Sequence, residues 1–469
     1  MSSDKNLEAV KKWKEDFYDL RKMRTNRERY AEEKTKHIEM LESVISADDN
    51  HQGDHSEQWL RQCWTTLIDL NDGPNEGLYQ SELRGAVMEI LLKFYPTELL
   101  YDIMLSRDDN EEHYLLLSKL HEEPASLKHI LIKIPDPNLR FEVLNLRNKD
   151  EQTPLHNEKW NGYHSQVLDA VLGSLNSKEL CYYLLATQDK LGKTPLFFYN
   201  SSTILAVLGT VEHKDVVKLV EKQDNDGKTI LHRTCSEWSP ECIAKLLHYF
   251  HSEERHVRLL SLQDNNGKTP LFYLPPKSVI IALDKVDGKR VFEWVAKQDQ
   301  QGNTLLHMRA FSKNNRWDSQ DINQLLTLLQ SAKKCLRLLR KQNNEGETPL
   351  FYLCSDCVCT ALSKVDKARV FSLVMKQDCE GQTMLHDHLK SDTFGIGSTV
   401  KLFNILDSDD QWFEFISVAD KRGITALAYA SCQHLSEVLE LVKNPCQRVK
   451  ISVVLIQNIR QIDAINLDS

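Results

Sequence analysis

The chain has 469 residues, a net charge of −9, 41% hydrophobic residues and 27% charged residues. That balance is ordinary for a soluble folded protein, and it offers no global attraction to nucleic acid. Length alone suggests about three globular domains, but a long internal repeat argues instead for units that share one continuous core.

Residues 1–46 read as a long charged helix or a helical hairpin. From 4 to 46 they are rich in Glu, Lys and Arg and contain no Gly or Pro. Val10, Trp13, Phe17 and Leu20 follow helical spacing, as do Ile38, Leu41 and Ile45, but Arg24, Arg27 and Lys34 interrupt the stripe. A coiled coil needs three to four sustained heptads. This segment therefore reads as packing on the rest of the chain, with self-association as the alternative. Residues 47–56 are polar and read as a linker. Residues 57–105 read as a helical capping region, with Leu83, Val87, Ile90, Leu91 and Phe94 on one stripe stopped by Pro96. Residues 106–147 read as a degenerate first repeat, because Asp109–Leu116 aligns with Asp224–Leu231 but lacks its Gly and Thr.

From 148 onward one motif recurs, Asp-x-x-Gly-x-Thr-Pro-Leu. Its threonines are Thr153, Thr194, Thr229, Thr269, Thr304, Thr348, Thr383 and Thr425. The gaps alternate long and short, at 41, 35, 40, 35, 44, 35 and 42 residues, so the larger period is a pair of units. Each residue has a local reason. In Asp264–Phe272, Gly267 suits a positive φ that other residues resist. Thr269 suits an N-cap, Pro270 the first helical position, and Leu271 opens a buried stripe.

The motif resembles the signature of the ankyrin repeat, and the resemblance spans about 300 residues, from Asn148 to Val442. Thr-Pro-Leu-His is complete at Thr153–His156; His232, His307 and His386 keep the histidine, while short units carry Phe197, Phe272 and Phe351 instead. In that family the histidine stabilises the turn. The resemblance implies an all-α, ankyrin-type helical solenoid over 148–445, preceded by an N-terminal helical segment and closed by a cap at 446–469. Every unit also adds a third apolar segment, such as Arg290–Val295 and Arg369–Val374. A short third helix is expected there, in place of the family's β-hairpin.

Other motifs yield to the repeat. Gly-Lys-Thr at Gly192, Gly227 and Gly267 lies in the repeated turn and lacks the earlier Gly of a phosphate loop, the place being taken by Thr187, Lys222 and Leu262. Asp224–Gly227 lacks the ligand set of a calcium loop, with Arg233 where Glu is needed. Cys354, Cys357 and Cys359 fall, in sister units, on Pro275, Ser278 and Ile280 and on Asn200, Thr203 and Leu205. Zinc needs about four ligands, so no metal is expected, nor any cofactor or catalytic residue. Eleven scattered cysteines and no signal peptide read as reduced thiols in the cytoplasm, with the nucleus also open. The longest apolar runs are far too short to span a bilayer.

One feature points outward. Long units carry an aromatic between their first and second helices: Trp160, Trp238, Trp317 and Phe394. Insertions in a repeat array fall on one face, and Trp is enriched at binding hot spots. These four residues are candidate partner contacts; the alternative is that each covers the core of its own unit. The expected function is a non-enzymatic scaffold or adaptor that binds a protein partner of unknown identity. The runner-up is a regulatory or assembly domain that oligomerises through residues 4–46.

Overall fold

The computed structural model describes residues 134–162, 165–233, 238–250, 253–284, 286–308, 316–391, 396–406 and 408–430, with isolated positions before and after. The linker, most of the N-terminal and capping segments, most of the degenerate first repeat, Phe394 and most of the C-terminal cap therefore lie outside the described residues. The chain divides into two compact units, Met1–Asn225 and Asp226–Ser469. Both are helical, and among the described residues there is no strand, only isolated bridges at Gln377–Thr383 and Ala419–Thr425.

In the first unit the α-helices are α1 (Pro137–Asn145), α2 (Ser165–Gly173), α3 (Lys178–Ala186), α4 (Ser201–Leu208) and α5 (His213–Val220). Equivalent helices pack on one another: α2 on α4, and α3 between α1 and α5. In the second unit they are α6 (Pro240–His248), α7 (Glu253–Ser261), α8 (Pro276–Leu283), α9 (Gly288–Val295), α10 (Ser319–Leu328), α11 (Ala332–Leu339), α12 (Ser355–Ser363), α13 (Lys367–Val374), α14 (Met384–Lys390), α15 (Ile396–Ile405) and α16 (Asp409–Ile416). The same succession holds here. Helices α6, α8, α10, α12 and α15 contact in order, and so do α9, α11 and α13.

Polar caps start these helices. The Asn200 side chain accepts from Thr203 N at 2.9 Å, Asp287 from Lys289 N at 3.0 Å, and Asp318 from Asp321 N at 2.7 Å. Each satisfies an amide that the first helical turn leaves open. In four repeats the last helix buries positions i, i+3 and i+4: Val216, Leu219 and Val220; Val291, Trp294 and Val295; Cys335, Leu338 and Leu339; Val370, Leu373 and Val374. That triplet is the apolar stripe of a half-buried helix, and each Val or Leu so buried contributes about 1.5–3 kcal/mol. The third apolar segment is thus a helix, as expected.

The first segment differs from expectation. Thr194, Thr229, Thr269, Thr304, Thr348 and Thr425 each lead into a single 3₁₀ turn rather than a full helix. Only Thr383 opens an α-helix, α14. In the short units the reason is room. The next helix is capped at Asn200, Pro275 or Cys354, only six residues after the threonine.

The turns follow one plan. The first side chain of the motif, Asp or Asn, accepts through Oδ1 from the amides two and four residues on. This holds at Asn148, Asp189, Asp264, Asp299, Asn343, Asp378 and Asp420, at 2.7–3.1 Å. The motif glycines, from Gly192 to Gly423, have φ between +74° and +79°. The first copy has no glycine, and Glu151 takes the left-handed conformation at φ +60°.

Three substitutions test this plan in thermal melts. Gly192→Val lowers the melting temperature most, because a Cβ there would lie 2.8 Å from the Asn225 amide nitrogen; Gly267→Val, with its nearest backbone atom at 3.3 Å, costs about 1–3 kcal/mol for backbone strain alone. Glu151→Gly runs the other way and raises stability by up to about 1 kcal/mol, since it relieves a left-handed non-glycine residue. A melting temperature unmoved by Gly192→Val would refute the plan.

Candidate functional site

Of the four aromatic candidates, two are core residues. Trp160 and Trp238 are 0% and 1% exposed. Each indole N–H donates to a carbonyl of its own repeat, Trp160 to Pro154 O at 2.9 Å and Trp238 to Ile230 O at 3.2 Å. Their side chains present nothing to a partner in this conformation. Trp317 is only half-buried, and its surroundings form a cleft.

The cleft has a volume of about 370 Å³ and draws on three successive repeats of the second unit. Met308 follows the 3₁₀ turn Leu305–His307, and Arg316 and Trp317 precede the Asp318 cap of α10. Phe351, Tyr352 and Leu353 come from the next 3₁₀ turn, Cys354 caps α12, and Asp387, His388 and Ser391 come from α14 and its end. Its size falls at the small end of ligand-binding sites. Its walls are held by hydrogen bonds between repeats. His388 Nε2 donates to Leu350 O at 2.9 Å, and the Cys357 thiol donates to Trp317 O at 3.1 Å. Tyr352 sits edge-on to His307 at 5.6 Å, accepts from Asn343 Nδ2 at 3.2 Å and donates to the Glu347 carboxylate.

The motif histidines are structural. The Nδ1 atoms of His156, His232, His307 and His386 accept from the threonine amides of their own repeats at 2.9–3.1 Å. Their Nε2–H groups donate to carbonyls of the following repeat, Lys193, Lys268, Glu347 and Ile424, at 3.1–3.2 Å. This geometry requires the neutral ring with its proton on Nε2. Burial pulls His232 and His307 down to about 4 and also lowers His386. Where Phe replaces the histidine, the threonine hydroxyl loses its partner, and Thr194 and Thr269 are buried with unpaired hydroxyls. The expected side-chain capping role of the threonine is not met at those two positions.

In the Gly-Lys-Thr turns at Gly192 and Gly267 three amides are already taken within the turn. In one of them Gly267 N donates to Asp264 O at 2.9 Å, while Asn266 N and Lys268 N both donate to Asp264 Oδ1 at 2.9 Å. Among the described residues no three His, Cys, Asp or Glu side chains are placed to hold a metal ion. No helix among them is long and apolar enough to cross a membrane. No family model matches the chain, and no curated protein is similar to it.

Two contributors escaped the sequence reading. At Gln188, Gln298 and Gln342 the glutamine before the motif Asp or Asn donates to the carbonyl of its own turn glycine, at 2.5–2.6 Å, and to the glutamine carbonyl of the next repeat, at 3.0 Å. Its recurrence at 188, 223, 263, 298, 342 and 377 was the available signal. The aromatic four residues after the threonine in short units, Phe198, Tyr273 or Tyr352, meets the histidine of the preceding long unit edge-on at 5.6–5.7 Å.

Trp238→Ala lowers stability by about 3–5 kcal/mol, the cost of emptying a large buried site, whereas Trp317→Ala costs clearly less; equal losses in denaturant melts would contradict the burial. The histidines set a pH dependence. Unfolded histidine takes up a proton below about pH 6.5, whereas His232 and His307 resist protonation until about 4. Their contribution is complete above pH 6.5 and is lost as pH falls toward 4, at about 1.4 kcal/mol per pH unit for each such residue. Melting temperature against pH should therefore fall through this window, and His307→Gln should flatten the slope. An unchanged slope in that variant would mean His307 is not held neutral.

Proposed function

We propose that this chain is an ankyrin-type helical solenoid that binds a protein partner and performs no chemistry on it. The turn motif, the succession of equivalent helices within each unit and the hydrogen bonds between consecutive turns support the solenoid reading. The turns bond in series: in the second unit Asn265 N donates to Asp226 O, Gln300 N to Asn266 O, Asn344 N to Gln301 O, Cys379 N to Glu345 O and Lys421 N to Glu380 O, at 2.7–3.0 Å. A surface held this way needs little ordering on binding, which favours affinity.

The observation that carries the binding role is the cleft of about 370 Å³ beside the half-buried Trp317. An extended segment of the partner places an apolar side chain there, against Trp317, Phe351 and Tyr352. Arg316 and Asp387 at the cleft offer one charge of each sign to the segment's polar groups. The partner is accordingly a protein rather than nucleic acid, since the chain carries a net charge of −9.

Affinity purification with the full chain, followed by mass spectrometry, identifies the partner. Trp317→Ala then weakens its binding by about 2 kcal/mol or more, close to thirtyfold in Kd, while the melting temperature stays near that of the parent. Unchanged affinity in Trp317→Ala would move the binding site elsewhere on the array.

A further inference from the structure

We propose that Cys354 and Cys357 form a redox-active dithiol, in which Cys354 attacks a low-molecular-weight disulfide and Cys357 resolves the product. The proposal goes beyond partner binding and stands whether or not the cleft holds a protein. The two sulfurs lie 2.9 Å apart across the first turn of α12, where Cys354 is the N-cap. A disulfide needs about 2.05 Å, so bond formation asks for less than about 1 Å of sulfur movement. Cys354 is exposed and lines the cleft, while Cys357 is buried behind it.

Sister repeats show that capping does not need this pair. Asn200 caps its helix through Oδ1, and Ser278 donates its hydroxyl to Trp238 O at 2.7 Å, as Cys357 donates its thiol to Trp317 O. Cys354 makes no such cap. Two sulfurs in contact are therefore an addition to the repeat, not a requirement of it. Reactivity separates them from the other thiols. Burial pushes Cys181 and Cys359 up to about 11. Cys354 is instead held down to about 6, chiefly because the Cys357 thiol can turn to donate to its sulfur, against the opposing effects of burial and the Asp356 charge. The groups facing the pair are Asp318 and Asp356, with Arg316, Asp387 and His388 in the cleft. Low-pKa thiolates at helix N-termini in Cys-x-x-Cys pairs are the attacking kind.

The exchange balances with a disulfide RSSR. The Cys354 thiolate attacks one sulfur, the S–S bond of RSSR breaks, and one RS⁻ leaves to take up a proton. Cys357 then gives up its proton and attacks Cys354 Sγ, releasing the second RS⁻. The two cysteines lose two electrons and two protons, and RSSR becomes two RSH. Oxidation also removes the proton that Cys357 shares with the Trp317 carbonyl, so the backbone carrying the cleft tryptophan senses the redox state.

The test uses the full chain. Iodoacetamide alkylation, followed by mass spectrometry, should show Cys354 half-maximally reactive near pH 6. Cys379 is an exposed internal control whose pKa is raised first by desolvation and then by the Glu345 carboxylate and its acidic neighbours. At pH 7 Cys354 should react about fivefold faster than Cys379, after allowing for the weaker nucleophilicity of a low-pKa thiolate. Oxidised glutathione should then remove two hydrogens from the segment 354–357. Cys357→Ser should stop at a glutathione adduct on Cys354; it keeps the donor to Trp317 O, as Ser278 does in its own repeat, so it should fold. Cys354→Ser should give neither adduct nor disulfide. Wild-type protein that stays reduced or stops at the adduct, or equal alkylation of Cys354 and Cys379, would overturn the proposal.

Discussion

Each turn must satisfy its own polar groups and still leave one amide for its neighbour. A buried Asp or Asn takes two amides of the turn, and the glycine closes it at positive φ. The residue after the Asp then turns its N–H outward to the preceding turn. In the first unit Lys190 N reaches Asp150 O and Asn225 N reaches Leu191 O, both at 3.0 Å; the same pattern continues link by link in the second unit. Buried amides without partners cost about 1–3 kcal/mol each, so spacing and orientation of successive repeats follow from the turns. The glutamine ladder runs beside this backbone series and bonds to the same turns. The helices then need only be short, because their apolar triplets meet neighbours already in register.

The alternation of long and short repeats has a chemical basis. A long repeat carries the histidine, whose ring accepts from its own threonine and donates to the next turn. The short repeat that follows supplies the carbonyl and the edge-on aromatic. Long and short repeats are thus joined by a side-chain bridge in addition to the backbone link, as at His232 with Lys268 O and Tyr273. The short repeat has no motif histidine of its own, and its threonine hydroxyl is left without a partner at Thr194 and Thr269. The pair, rather than the single repeat, is the physical unit.

The same economy explains what is available for function. Two of the tryptophans between segments close their own repeats from above, with their indole N–H groups spent on local carbonyls. Trp317 differs because its side chain remains half-exposed beside a cleft built from three repeats. There the α12 cap is a cysteine rather than asparagine or proline. The cleft and the close sulfur pair therefore coincide at one place in the second unit.

Much of the fold was legible in the sequence. The threonine spacing located every turn, Gly267 and its counterparts announced positive φ, and the segments Arg290–Val295 and Arg369–Val374 lie within helices as their apolar spacing implied. These features are local: φ preference, capping and helical periodicity act within a few residues, so a sequence can display them directly. The reduction of the first helix to one 3₁₀ turn was less visible, because it depends on how closely the next cap follows. The fate of Trp160, Trp238 and Trp317 was not visible at all. All three occupy the same place between segments, and only the packing around each decided which rings were enclosed. Likewise, Cys354 and Cys357 read as ordinary capping positions until the folded helix start brought their sulfurs within 2.9 Å. The sequence by itself determined the repeat and its turns, because those rest on neighbours along the chain. Tertiary structure decided exposure, the cleft and the sulfur contact, because those rest on neighbours in space.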